Sequence, residues 1–236
     1  MSKRYQSAGT ACSHLCDCAE LVLCACKCVC VCVCVCVCVC VCFRISADGG
    51  GAGYHANVWF NGVRFLNNSG GLHGGAVQLQ MEADVRFTSC EFSGNAAESG
   101  GAVAAADGAA PVFAACDFYD NRGSRGGALH LDGDATCVVT DSAFVHNTAL
   151  EGGGVYATGQ ARPELVNCTL QNNSAALVGG AVLVDETAAV TLRQCAVFFN
   201  RAARGGGAIA SLAPDPVLFR GSHRRLAVWA SGAWSI

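Results

Sequence analysis

Charge is scarce in this sequence, and basic charge has no excess. Of 236 residues only 14% are charged, and 15 Lys and Arg face 18 Asp and Glu, for a net charge of −3. Nothing here neutralises a phosphate backbone, so nucleic acid is not an expected partner. Low charge combined with 52% hydrophobic residues also excludes the disordered class. Proline is rare, at 4 residues beside 29 glycines, which excludes a collagen-like chain. Cysteine is scarce too once the N-terminus is set aside. Of 18 cysteines, 13 lie in residues 1–42, and the remaining 194 residues hold five, too few for a disulfide-dense scaffold. The chain divides into a low-complexity segment 1–57, expected to be disordered, an artefact of gene prediction or a membrane anchor, a region 58–220 and a tail 221–236, read as a cap or as read-through.

Residues Val29 to Cys42 are seven consecutive Val-Cys pairs. Three readings fit the tract. A GT dinucleotide repeat translates as Val-Cys without end, which makes the segment a simple-sequence artefact of gene prediction. Leu21 to Phe43 is apolar except for Lys27 and long enough to span a bilayer, which makes it a membrane anchor. Alternating thiols, with Cys12, His14, Cys16 and Cys18 upstream, have the donor types of a soft-metal site. No signal-peptide cleavage pattern accompanies it.

From residue 58 the sequence repeats. A glycine pair, a small residue and an aliphatic one recur six times, beginning at Gly74, Gly100, Gly126, Gly152, Gly179 and Gly206, with spacings of 26, 26, 26, 27 and 27. Upstream of each pair stands an asparagine: Asn68, Asn95, Asn121, Asn147, Asn173 and Asn200. Three residues earlier come Phe65, Phe92, Phe118, Phe144, Leu170 and Val197. Val63, Cys90, Cys116, Ser142, Cys168 and Cys195 form a further column, and Phe60, Phe87, Phe113, Val139, Leu165 and Leu192 another.

Helical repeats need a longer period and 3.6-residue spacing of apolar positions. Here the spacing is two, as in Leu129 with Leu131 and Val182 with Val184, the pattern of strands. Three short strands and three turns in 26–27 residues make one coil of a right-handed, single-stranded parallel β-helix. The expected fold is all-β, with six to seven coils stacked at ~4.8 Å, so that six coils make a rod about 29 Å long. Residues 217–219 open a seventh coil with Val217 and Phe219 in column, but Arg224 falls where a phenylalanine belongs.

The columns then acquire mechanical roles. The two aromatic-rich columns stack inward. The asparagines form a structural ladder whose side-chain amides bond from coil to coil. The thiols point inward as small hydrophobes, in a geometry poor for disulfides.

Alternating F-x-x-N and G-G-A-[ILV] tetrapeptides, here Phe65–Asn68, Phe92–Asn95, Phe118–Asn121 and Phe144–Asn147, resemble the repeats of chlamydial polymorphic outer membrane proteins. They also resemble related β-helix proteins of the pectin-lyase-like superfamily. The resemblance covers about residues 58–212. It implies a surface-exposed passenger used for adhesion or display, at the cell surface, outside the cell or in association with a membrane, and non-enzymatic. The C-terminal membrane barrel of the bacterial proteins has no room after Ile209. The alternative within the superfamily is a polysaccharide lyase or glycoside hydrolase.

For that alternative one patch has the chemistry. Glu91 and Asp117 face outward on adjacent coils, with Asp120, Asp141 and His146 nearby, and carboxylates so placed serve calcium or acid–base chemistry. The competing reading is an ordinary solvated solenoid surface. Spacings without an insertion leave no long loops to wall a cleft. For a binding protein, the expected surface is a flat outward ribbon of Ala76, Ala102, Ala128, Gly154, Ala181 and Ala208. Beside it run Gln78, Ala104, His130, Tyr156, Leu183 and Ala210, and the ribbon would seat a glycan or a partner at the cell surface. No cofactor is expected: Gly49 to Gly53 lacks the Lys-Ser/Thr of a phosphate loop. Asn67, Asn167 and Asn172 head Asn-x-Ser/Thr sequons, which matter if the chain is secreted.

Overall fold

The computed structural model describes residues 43–46, 58–213, 217–219 and 227–229. The Val-Cys tract, the upstream Cys and His cluster and the apolar stretch up to residue 42 lie outside the described residues.

The described chain is all-β and coils as a parallel solenoid of about six turns. Each coil crosses three seven-stranded sheets. Sheet I takes Val58–Asn61, Val85–Thr88, Val112–Ala114, Thr136–Thr140, Arg162–Val166, Val190–Arg193 and Val217–Phe219. Sheet II takes Arg64–Leu66, Glu91–Ser93, Asp117–Tyr119, Ala143–Val145, Thr169–Gln171, Ala196–Phe198 and Ala227–Trp229. Sheet III takes Phe43–Ser46, Val77–Gln80, Val103–Ala105, Leu129–Leu131, Val155–Ala157, Val182–Val184 and Ile209–Ser211. Among the described residues no helix is long and apolar enough to cross a membrane.

Register is exact, and it makes the columns. Phe60 pairs with Phe87, Phe87 with Phe113, and Phe113 with Val139. Phe65, Phe92, Phe118 and Phe144 pair in the same way across sheet II. The rings stack nearly parallel within each column, at centroid distances of 4.7 to 5.1 Å. Between columns they meet edge to face, at 5.3 to 6.0 Å. Both arrangements suit the ring quadrupole, and the buried apolar area is the main source of stability.

Two sharp corners bound sheet II. Gly62, Ser89, Ala115, Asp141, Asn167 and Gln194 make the first, with φ between 51° and 64°. Asn67, Gly94, Asp120, His146, Asn172 and Phe199 make the second, with φ between 52° and 66°. One left-handed residue turns the chain at each corner, whatever its side chain.

Immediately after the second corner comes the asparagine column, buried in every coil. Asn121 shows the pattern. Its Nδ2 donates to Asn147 Oδ1 at 3.0 Å and to the Phe92 carbonyl at 2.9 Å. Its Oδ1 accepts from the backbone N and the Nδ2 of Asn95, at 3.0 Å each. Every donor and both lone pairs are used, so burial costs no unsatisfied polar group.

The thiols of Cys90, Cys116, Cys168 and Cys195 are buried and donate to carbonyls of their own and the preceding coil. Ser142 replaces the thiol by donating to Thr140 O at 2.7 Å while accepting from Cys116 N at 3.0 Å. The contact with Cys90, followed by burial, pushes the Cys116 thiol up, and Cys195 and burial do the same to Cys168. Burial alone pushes Cys137 up. These three thiols are protonated at neutral pH and not poised as nucleophiles.

Three differences from the sequence reading have physical reasons. A fourth, shorter sheet IV lies between the asparagines and the glycine pairs. It is built from Ser69–His73 with Ala96–Ser99, and from Thr148–Glu151 with Ser174–Val178 and Arg201–Ala202. Arg122 and Arg125 bridge the two parts through backbone pairing. The sheet pairs through its backbone, so no side-chain column announces it.

The expected outward ribbon is the second difference, and it is not on the surface. Ala76, Ala102, Ala128, Ala181, Ala208 and Gly154 are buried. At the first five glycine pairs two successive amides donate to one carbonyl, as Ala102 N and Val103 N both do to Ala128 O, at 3.1 and 2.9 Å. That kink breaks the alternation and sends both side chains into the core, as a bulge does. The companion column is also largely covered: Ala104, His130, Tyr156 and Leu183 are buried, and Gln78 and Ala210 half-buried. The first glycine of each pair passes close over it, so that a Cβ on Gly152 would lie 3.0 Å from Tyr156 Cβ.

The third difference is at the ends. Phe43–Ser46 already pairs with Val77–Gln80, ahead of residue 58. Val228, not Arg224, pairs with Val197 in sheet II.

Candidate functional site

Along sheet IV, just after the buried asparagines, runs a groove of about 770 Å³. Its lining comes from five consecutive coils: Ser69 and Gly71, Ala96 and Ala97, Arg122 to Ser124, Thr148 to Leu150, and Ala176. Four rung spacings give it a length of about 19 Å. Small side chains make most of the lining, and Ala96, Arg122 and Thr148 stand directly after ladder residues. The register of sheet IV slips between Ser69 and Gly71 and between Ala149 and Glu151, as at a bulge. One guanidinium, three hydroxyls and the exposed Leu150, at 52%, supply the recognition chemistry. The groove was not visible in the sequence. Its only trace there is the run of small residues after most of the asparagines.

The patch nominated from the sequence lies elsewhere, on the outward face and corners of sheet II. Glu91 and Asp117 are paired neighbours in register. Glu91 is already engaged: its Oε2 accepts from Arg64 Nε at 2.7 Å, and this contact raises the Arg64 pKa above its ordinary value. Burial, then Asp117, raise the Tyr119 pKa. Asp120 and His146 are stacked corner residues, with Nδ1 to Oδ1 at 3.8 Å and both side chains more than half exposed. Asp141 stands on the opposite corner, where its Oδ1 accepts from Asn167 Nδ2 at 2.6 Å. The structure thus brings together Glu91 with Asp117 and Asp120 with His146, and leaves Asp141 across the sheet from the second pair. Among the described residues no group of three His, Cys, Asp or Glu side chains is placed to hold a metal ion.

His130 is the buried ionisable group with an unmet need. Its Nε2 has no hydrogen-bond partner among the described residues, and its ring stacks on Tyr156 at 5.2 Å. Burial pulls its pKa down to about 4. Tyr156, by contrast, is anchored by donating to Asp185 Oδ2 at 3.0 Å, and burial with that bond pushes its pKa up to about 12.

A family model described as a right-handed β-helix region matches residues 45–216. The chain belongs to the right-handed β-helix family. No curated protein and no solved structure matches it. The handedness of this β-helix is the one that parallel crossover connections favour. Two strips are candidates for recognition: the groove on sheet IV and the carboxylates of sheet II and its corners.

Proposed function

We propose that this β-helix is a non-enzymatic binding protein, displayed at a cell surface or outside the cell, that holds an extended glycan in the sheet IV groove. The groove itself carries the reading: a continuous channel over five coils, parallel to the rod, fits a linear polymer better than a compact ligand. Hydroxyls and one guanidinium give hydrogen bonds to sugar hydroxyls, and Leu150 gives an apolar contact. The buried asparagine ladder beneath fixes the floor, so little ordering cost is paid on binding. The repeat-level likeness to surface-displayed passengers supports the same location.

A second reading, a polysaccharide lyase or hydrolase of pectin-lyase-like type, is favoured by the paired Glu91 and Asp117. It is weaker because Glu91 is held by Arg64 and the patch lies on a strand face and its corners, away from the groove.

The test is to fill the groove. Ala97→Tyr places a ring over the floor from a half-buried position without entering the core. Retention on immobilised glycans should fall at least tenfold while the melting temperature holds. Unchanged retention would remove the groove from the account.

A further inference from the structure

We propose that Asn67, Asn167 and Asn172 are N-glycosylation sites, and that the attached glycans flank the outward face of sheet II. The inference rests on the extracellular reading above.

Each of these asparagines heads a sequon: Asn67-Asn68-Ser69, Asn167-Cys168-Thr169 and Asn172-Asn173-Ser174. The fold sorts the sequon residues in a way that composition does not. All three acceptor asparagines are left-handed corner residues, with φ of 55°, 53° and 54°. Asn67 and Asn167 are exposed, and Asn172 is half-buried. The middle residues Asn68, Cys168 and Asn173 are all buried. Asn67 and Asn167 are exposed at their corners, where a glycan can extend into solvent, and Asn67 Oδ1 lies beside Gly94 of the next coil. Two of the asparagine amides reach along the surface to other exposed side chains, Asn167 to Asp141 and Asn172 to His146 Nε2 at 3.2 Å. A glycosylated amide keeps one N–H, so a single donor remains at each position.

The transfer balances without oxidation. The amide nitrogen forms a bond to the anomeric carbon of a lipid-linked diphospho-oligosaccharide. The bond from that carbon to the phosphate oxygen breaks, the lipid diphosphate leaves with the electron pair, and the amide proton passes to a base.

The same geometry sets the order of events. In the folded coil Thr169 N donates to Ser142 O at 3.0 Å and Ser174 N donates to Asn147 O at 2.9 Å. Ser174 Oγ accepts from Arg201 Nε at 3.1 Å. With its centre buried and its backbone paired, the tripeptide cannot enter an enzyme cleft. Modification therefore precedes coil closure. The finished glycans stand on both corners of sheet II: Asn67 and Asn172 in the column of Asp120 and His146, and Asn167 in the column of Asp141. They screen Glu91 and Asp117 rather than leaving them open to a polymer.

The test uses the full chain isolated from the cells that make it. Peptide N-glycosidase digestion in heavy-oxygen water converts a modified asparagine into labelled aspartate, read by peptide mass spectrometry. Label is expected at Asn67, Asn167 and Asn172 and not at Asn147 or Asn200, and Thr169→Ala should remove it from Asn167 alone. Protease shaving of intact cells is run beside it. A chain that is shaved, and so outside the cell, yet unlabelled at all three positions overturns this inference and leaves the surface reading standing. A chain that is neither shaved nor secreted overturns both.

Discussion

Asn147 Oδ1 accepts two hydrogen bonds from Asn121: the backbone N and the Nδ2 of Asn121 both donate to it, at 3.0 Å each. The side chain of each coil thereby takes up a backbone N–H of the coil before it, just after the second corner. Asn121→Ala leaves Asn95 N and Nδ2 without an acceptor and the Phe92 carbonyl without a donor. It should cost about 2–4 kcal/mol in denaturant melts, since each buried unsatisfied group costs about 1–3 kcal/mol and partial relaxation recovers some of it. Asp117→Ala, on the outward face, should cost less than about 0.5 kcal/mol. Asn121→Ala and Asn147→Ala combined should be non-additive by at least about 0.5 kcal/mol.

Phe118 is fully buried between Phe92 at 4.8 Å and Phe144 at 4.7 Å. Phe118→Ala should cost about 3–5 kcal/mol, and Phe118→Leu markedly less, because the column accepts Leu170 two coils on. Chemical denaturation of the two variants compares them directly.

The phenylalanine and asparagine columns show in the sequence because inward side chains meet the same requirement in every coil, and stacking in strict register keeps their spacing fixed. The alanine column shows equally well, but its direction does not. Extrapolating strict alternation from Val103 and Ala105 puts Ala102 outside, whereas the two amides sharing Ala128 O turn it inward. Sheet IV left no column, since Ser69, Ala96, Arg122, Thr148 and Ser174 need only pair through their backbones. The groove followed sheet IV out of sight, because its lining residues are chemically unlike from coil to coil.

Glycine at the second position of the first five pairs is a space requirement. A Cβ on Gly127 would overlap Gly153 O and lie 2.8 Å from Thr148 N. Gly127→Ala should destabilise by more than about 2 kcal/mol, the scale of backbone overpacking. At the corner before sheet II the reverse holds. Ala115 has φ 51°, and Ala115→Gly should raise stability by up to about 1 kcal/mol by relieving the left-handed penalty. Thermal melts of both variants should therefore move in opposite directions.

Acid should weaken the fold through His130. The ordinary histidine pKa is about 6.5, and burial lowers it to about 4 in the native state. Between those values the unfolded chain takes up a proton that the native chain refuses. The stability contribution is present above pH 6.5 and is lost as pH falls towards 4, by about 2–3 kcal/mol. His130→Phe keeps a ring against Tyr156 and removes the titration, so its stability should be flatter over that range by this amount. Equal slopes for both proteins in urea titrations from pH 7 to 4 would refute the assignment.

The most direct test of a binding protein that does no chemistry measures binding and bond cleavage on the same samples. The native chain, Arg122→Ala and the double variant Glu91→Gln with Asp117→Asn are incubated with polysaccharides, and bound polymer and new chain ends are both quantified. The account predicts no new ends with any of the three, binding by the native chain and by the double variant, and binding weakened by Arg122→Ala. New ends produced by the native chain and abolished in the double variant would contradict it and place the function on sheet II.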